Sequence, residues 1–123
     1  MGNTTLFLSS LFFGFIHIRI LQEYTHSEIY NILILTGVMT SIINHGTSSR
    51  IAKISDRIVM VIGFVTDVSL SSNTQILWMA ACMYYLSKRY NTVLLHVLAH
   101  YFLTLHHFLL LSTASLVPET IKL

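Results

Sequence analysis

The chain of 123 residues is 54% hydrophobic and only 10% charged, with a mean hydropathy of +0.68. Soluble globular domains carry about 25% charged residues, so this composition excludes an ordinary soluble domain and indicates a single membrane domain. The formal net charge of +2 is dispersed and forms no basic stripe, which excludes nucleic acid as a partner.

Five apolar segments follow one another along the chain, and each is bounded by polar residues. They predict an all-α fold, an integral membrane bundle of about five transmembrane helices. The segments are Thr4–Leu21, Glu28–His45, Ile54–Leu70, Thr74–Ser87 and Asn91–Ser112. The third and fourth are short for a membrane span of about 20 residues, so a re-entrant pair is an alternative for these two.

Basic residues mark one face of this predicted bundle. Arg50, Lys53 and Arg57 flank the second break between segments, and Lys88 and Arg89 form the fourth. With five spans these two breaks share a face, which the positive-inside rule makes cytosolic. We therefore expect a multi-pass membrane protein whose N-terminus is cytosolic.

Five polar side chains fall at segment ends that such a bundle brings to one membrane face. Ser41 and His45 are spaced i, i+4, as are His96 and His100, so the members of each pair share a helix face. Asp56 follows His45 by eleven positions. Because a polar group in hydrocarbon costs free energy unless something binds it, these residues predict a functional site.

Three imidazoles and a carboxylate favour zinc as the ligand of this site. Catalytic zinc is commonly held by three protein ligands, here His45, His96 and His100, with water in the fourth position. Zinc lowers the pKa of such a water to about 7. Asp56 is predicted to act on that water as a base or an orienting group, and Ser41 to stabilise the oxyanion formed at a carbonyl.

The order Ser-x3-His, Asp, His-x3-His resembles the CREST superfamily of membrane hydrolases, which includes alkaline ceramidases and the adiponectin and progestin receptors. The segment TGVMTSIINHGT and the DRIVM that follows, within residues 36–60, are especially similar to alkaline ceramidases, and residues 94–101 carry the rest. The resemblance implies zinc bound by His45, His96 and His100, with Asp56 and Ser41 in support. It also implies a ceramide-like membrane lipid as substrate.

The chain departs from that pattern in several places. Members of the superfamily usually have seven helices, and Asn44 stands where they carry an aromatic residue. The acidic N-terminal calcium motif of alkaline ceramidases has no counterpart. A shortened member of the superfamily would have a smaller lipid cavity or would pair with a second copy as a homo-oligomer.

The leading prediction is a zinc-dependent hydrolase of a lipid amide or ester bond, with two alternatives. One is a haem-binding electron-transfer protein that uses His96, His100 or His107, and the other is a non-catalytic small membrane protein or receptor of the same fold. His107 lies about 10 Å beyond His100 along the helix, too far for the same metal. We expect Asp67 to be solvated at the opposite face and His17 to be an interfacial or packing residue.

Overall fold

The computed structural model describes residues 3–24 and 27–114, and these residues form five α-helices and no strand. The helices are α1 (Thr4–Glu23), α2 (Glu28–Gly46), α3 (Arg50–Leu70), α4 (Gln75–Arg89) and α5 (Val93–Ala114). The predicted all-α fold with five helices is confirmed.

Three of the helices begin directly after a polar residue whose side chain caps their first free backbone N–H groups. The capping residues are Asn3, Ser27 and Ser49, and their side-chain oxygens accept hydrogen bonds of 3.0–3.3 Å. The cap at Ser49 explains why α3 begins at Arg50, four residues before the predicted start at Ile54.

Three helices of the described chain are long and apolar enough to cross a membrane. They are α1, α2 and residues Val93–Thr113 of α5, and they support a membrane protein. Helix α4 has 15 residues, about 22 Å of helix, which is short of a hydrocarbon core of about 30 Å. Helix α3 has 21 residues, but its first two turns carry four charged side chains.

The five helices pack as a ring around a central cavity. Helix α1 packs against α2 and α5, α2 packs against α3, and α4 packs against α5, whereas α3 and α4 touch only lightly where the ring closes. Short connections turn the chain back after each helix, so α1, α3 and α5 run in one direction and α2 and α4 in the other. The cavity has a volume of about 500 Å³ and is lined by residues of all five helices.

The two ends of the ring differ in chemistry. At the basic end, where α1, α3 and α5 begin, Lys53, Arg57 and Lys88 line the cavity mouth. Burial and the positive charges of Arg57 and Lys53 lower the pKa of Lys88. The opposite end is the apolar end. It contains a buried cluster of Ile20, Tyr30, Ile34 and Leu111.

Gly14 allows α1 and α2 to approach each other closely. A Cβ atom at Gly14 would lie 2.9 Å from Val38 Cγ1, whereas a Cβ atom at Gly63 on α3 would meet nothing within 4 Å. Val38 is β-branched and stiff, so it cannot easily turn away from an added methyl group.

We predict that the Gly14→Ala variant is less stable than Gly63→Ala by about 1–3 kcal/mol, the usual cost of overpacking. Both variants gain the helix preference of alanine, but only the first pushes α1 away from α2. Thermal unfolding of the two proteins in detergent measures the difference. Equal stabilities would contradict a close contact between α1 and α2 at this position.

Candidate metal centre

Three histidines from two helices meet at the cavity wall near the basic end. His45 lies in the last turn of α2, and His96 and His100 lie near the start of α5. One ring nitrogen from each histidine lies within 4.8 Å of the other two, so the three can bind a metal ion. His45 and His96 are buried and His100 is half-buried. The structure thus brings together all three histidines that the sequence singled out.

The three imidazole rings contact one another directly. The ring centroids are 4.9 Å apart for His45 and His96, 5.3 Å for His45 and His100, and 4.8 Å for His96 and His100. The rings of His45 and His96 form no hydrogen bond with any residue that the structure describes. Their nitrogen lone pairs are therefore available to a cation.

The donor set fits a tetrahedral metal ion. Nitrogen ligands at about 2.0–2.1 Å from such an ion lie about 3.4 Å apart. The three histidines therefore have to close by about 1.4 Å at most from the 4.8 Å separation. Side-chain rotation can supply a shift of this size, and all three histidines line the cavity.

Ser9 on α1 also belongs to this centre, although the sequence reasoning did not include it. Its Oγ lies 3.0 Å from His100 Nδ1, which leaves Nε2 of His100 free for a metal. Contacts of this kind fix the ring orientation of a metal-binding histidine. Serine in an apolar helix usually only helps the helices to pack, so the only sequence signal was the occurrence of two adjacent hydroxyl residues, Ser9 and Ser10, in an apolar segment.

Asp56 on α3 faces the same cavity and is held in place by α2. Asn44 Nδ2 donates a hydrogen bond of 2.9 Å to Asp56 Oδ2, and the Thr40 hydroxyl shares its proton between Gly37 O at 3.1 Å and Asp56 Oδ1 at 3.3 Å. Asn44 directly precedes His45 in the chain. The same turn of α2 therefore carries both a histidine of the centre and the hydrogen-bond donor to the Asp56 carboxylate. Asn44, which departs from the ceramidase-like pattern, therefore has a defined partner. Ser41 lines the cavity as well.

The remaining polar residues named in the sequence analysis, His17, Asp67 and His107, lie toward the apolar end of the cavity. Among the described residues, His107 is not part of the three-histidine group, and it bonds to Asp67 and His17 instead. The expectation that Asp67 is solvated is wrong, because its side chain points into the ring and is only 3% exposed. Tyr30 and His107 supply hydrogen-bond partners there. His17 is a buried packing residue and not an interfacial one.

No family model, curated protein or solved structure matches the chain. The resemblance to the CREST superfamily therefore stays a prediction that depends on residues 36–60 and 94–101.

We predict that Ser9→Ala weakens zinc binding about 10-fold or more, as loss of a group that orients a ligand does. The matched control is Ser10→Ala, because the Ser10 hydroxyl donates to Phe7 O within its own helix at 2.8 Å. Titration of the detergent-purified variants with zinc against a competing chelator measures both affinities. If both variants bound zinc as tightly as the wild type, the proposed support of His100 by Ser9 would be wrong.

Proposed function

We propose that the protein is a zinc-dependent hydrolase that cleaves an amide or ester bond of a membrane lipid inside the membrane. The observation that carries the proposal is the convergence of His45, His96 and His100 on a cavity that also contains the Asp56 carboxylate. Three neutral imidazoles with an open fourth position are the ligand set of several catalytic zinc sites. When bound, zinc makes a water molecule nucleophilic near neutral pH.

Asp56 is proposed to take the proton of the attacking water or to orient it. The hydrogen bonds from Asn44 and Thr40 occupy one direction at each carboxylate oxygen, and each oxygen has a second lone pair for the water. A general base positioned in this way contributes about 10²–10⁴-fold to a rate. Ser41 is proposed to donate its hydroxyl to the carbonyl oxygen as negative charge develops there.

A membrane lipid fits the cavity by size and polarity. Apolar side chains predominate in the cavity wall; they include Leu33, Val38, Val59, Met60, Phe64, Leu77 and Leu103. A volume of about 500 Å³ lies within the range of small-molecule sites. The resemblance makes a ceramide-like amide the first substrate to test, with a lipid ester as the second.

The membrane topology is part of the proposal. We propose that all five helices cross the bilayer, with α3 and α4 completing the spans that α1, α2 and α5 are long enough to make. By the positive-inside rule, Lys53, Arg57 and Lys88 support the proposal that the basic end, with the N-terminus and the metal centre, lies at the cytosolic face.

The ring packing weighs against the haem alternative. Two axial histidines of a haem lie on opposite sides of a flat macrocycle, but the rings of the three histidines contact one another at centroid distances of 4.8–5.3 Å. A porphyrin between any two of them would require the helices to move apart. A non-catalytic relative would keep its function in the His96→Ala, His100→Ala double variant, whereas a hydrolase would lose it.

Elemental analysis tests the metal site. We predict about one zinc per chain in the detergent-purified wild type and almost none in His45→Ala, because two histidines bind the ion much more weakly than three. His106→Ala is the matched control, since His106 bonds to Ser71 at the apolar end and its loss should leave zinc in place. Equal zinc in wild type and His45→Ala would contradict the ligand assignment.

A substitution at Asp56 tests the chemistry separately from the metal. We predict that Asp56→Asn lowers hydrolysis of a ceramide in mixed micelles by about 100-fold or more while zinc content stays near that of the wild type. Asparagine keeps an oxygen that accepts from Asn44, so the fold should survive. Release of fatty acid measures the rate. Full activity of Asp56→Asn would refute the assigned role, and a wild type inert on both ceramide and ester lipids would refute the proposed activity.

A further inference from the structure

A second polar cluster lies in the cavity wall toward the apolar end, outside the metal centre. It joins four helices through His17 of α1, Tyr30 of α2, Asp67 of α3 and His107 of α5. These residues are only 3–7% exposed. Along α5, His107 lies about 10 Å from His100, so the cluster and the metal centre are distinct sites in one cavity.

The cluster is a continuous chain of hydrogen bonds. The Tyr30 hydroxyl donates to Asp67 Oδ1, and Asp67 Oδ2 lies 2.7 Å from His107 Nε2. His107 Nδ1 lies 2.8 Å from His17 Nε2, and His17 Nδ1 lies 2.8 Å from the backbone oxygen of Phe13. The chain therefore ends at a carbonyl group, which can only accept a hydrogen bond.

The three contacts made by His17 and His107 need more protons than two neutral imidazoles carry. The contact with Phe13 O requires a proton on His17 Nδ1, and the contact between the two imidazoles requires a second proton. The contact between His107 and Asp67 requires a third. Two neutral imidazoles supply only two protons, and the Tyr30 proton is already used at the other carboxylate oxygen. The cluster therefore holds one additional proton, on one of the two imidazoles near the Asp67 carboxylate or on Asp67 as a carboxylic acid.

Without this proton, one contact of 2.7–2.8 Å would bring two lone pairs together. The buried Asp67 carboxylate would also lack a counter-charge, which is costly in an apolar interior. With the proton, every one of these hydrogen bonds has a donor and an acceptor, and the cluster has no net charge.

We propose that His17, Tyr30, Asp67 and His107 form a proton-binding site, and that the ligand is a single proton exchanged with water in the cavity. His17, Asp67 and His107 all line the cavity, which is thus the route to these otherwise buried groups. Chains of acidic residues and histidines inside membranes typically bind and transfer protons. The site needs no metal and stands whether or not the protein is a hydrolase.

Two further titratable groups act on the cluster electrostatically. His100 faces it from the metal centre. His106, whose Nε2 lies 3.1 Å from Ser71 Oγ, faces it from the side of the α3 C-terminus. Neither His100 nor His106 takes part in the three contacts that link Phe13 O, His17, His107 and Asp67. The additional proton therefore belongs to the cluster itself.

The protonation state of the full-length protein tests the proposal. At about pH 8, where histidine and carboxylic acids in water have lost their protons, the purified wild type should still carry this proton. With ¹⁵N-labelled histidine, NMR would detect one imidazole with both nitrogens protonated; alternatively, infrared spectroscopy would detect one protonated carboxyl group. Asp67→Asn should remove whichever signal is found, because the amide itself can donate to His107. The matched control, Glu23→Gln, changes an exposed carboxylate and should leave the signal intact.

The His45→Ala variant separates this proposal from the metal centre, since the proton signal should persist there even when zinc is lost. Persistence of the signal in Asp67→Asn would overturn the assignment. If Asp67→Asn does not fold, the wild type alone decides: only neutral imidazoles and ionised carboxylates at about pH 8 would refute the proton-binding site.

Discussion

Polar side chains inside an apolar bundle must be satisfied by other groups, and in this bundle several buried ones find those groups on other helices. Ser9 contacts His100, Asn44 donates to Asp56, and Tyr30 donates to Asp67. These bonds connect α1 with α5 and α2 with α3. Apolar contacts alone tolerate many helix arrangements, whereas directional bonds between specific pairs tolerate few, so the polar groups select one ring and hence one cavity.

Histidine has opposite roles at the two ends of that cavity. The rings of His45 and His96 form no hydrogen bond with a described residue, so their lone pairs can bind a cation. The rings of His17 and His107 are hydrogen-bonded at both nitrogens, and no lone pair is left for a metal. The neighbours therefore decide whether the same side chain serves a metal centre or a proton, and sequence spacing alone does not distinguish the two.

The helices and the i, i+4 pair of histidines could be predicted because both depend on short-range spacing. The i, i+4 pair His96 and His100 shares a face in any helix, and chain direction places His45 at the same end of the bundle. The partners of Asp67 could not be predicted in this way, since they lie 37 and 40 positions away on other helices. The position of Asp67 within an apolar stretch of α3 favours burial, whereas its proximity to the end of the helix favours exposure to solvent.

The parallel helices α1 and α5 are joined at two heights, by Ser9 with His100 and by His17 with His107. The bonded residues differ in number by 91 and by 90, respectively, so both bonds belong to nearly the same register of one helix against the other. Sliding α1 along α5 by a single residue, about 1.5 Å, would strain both hydrogen bonds at the same time. The two bonds therefore fix the axial position of α1 against α5 at both the metal centre and the proton-binding cluster.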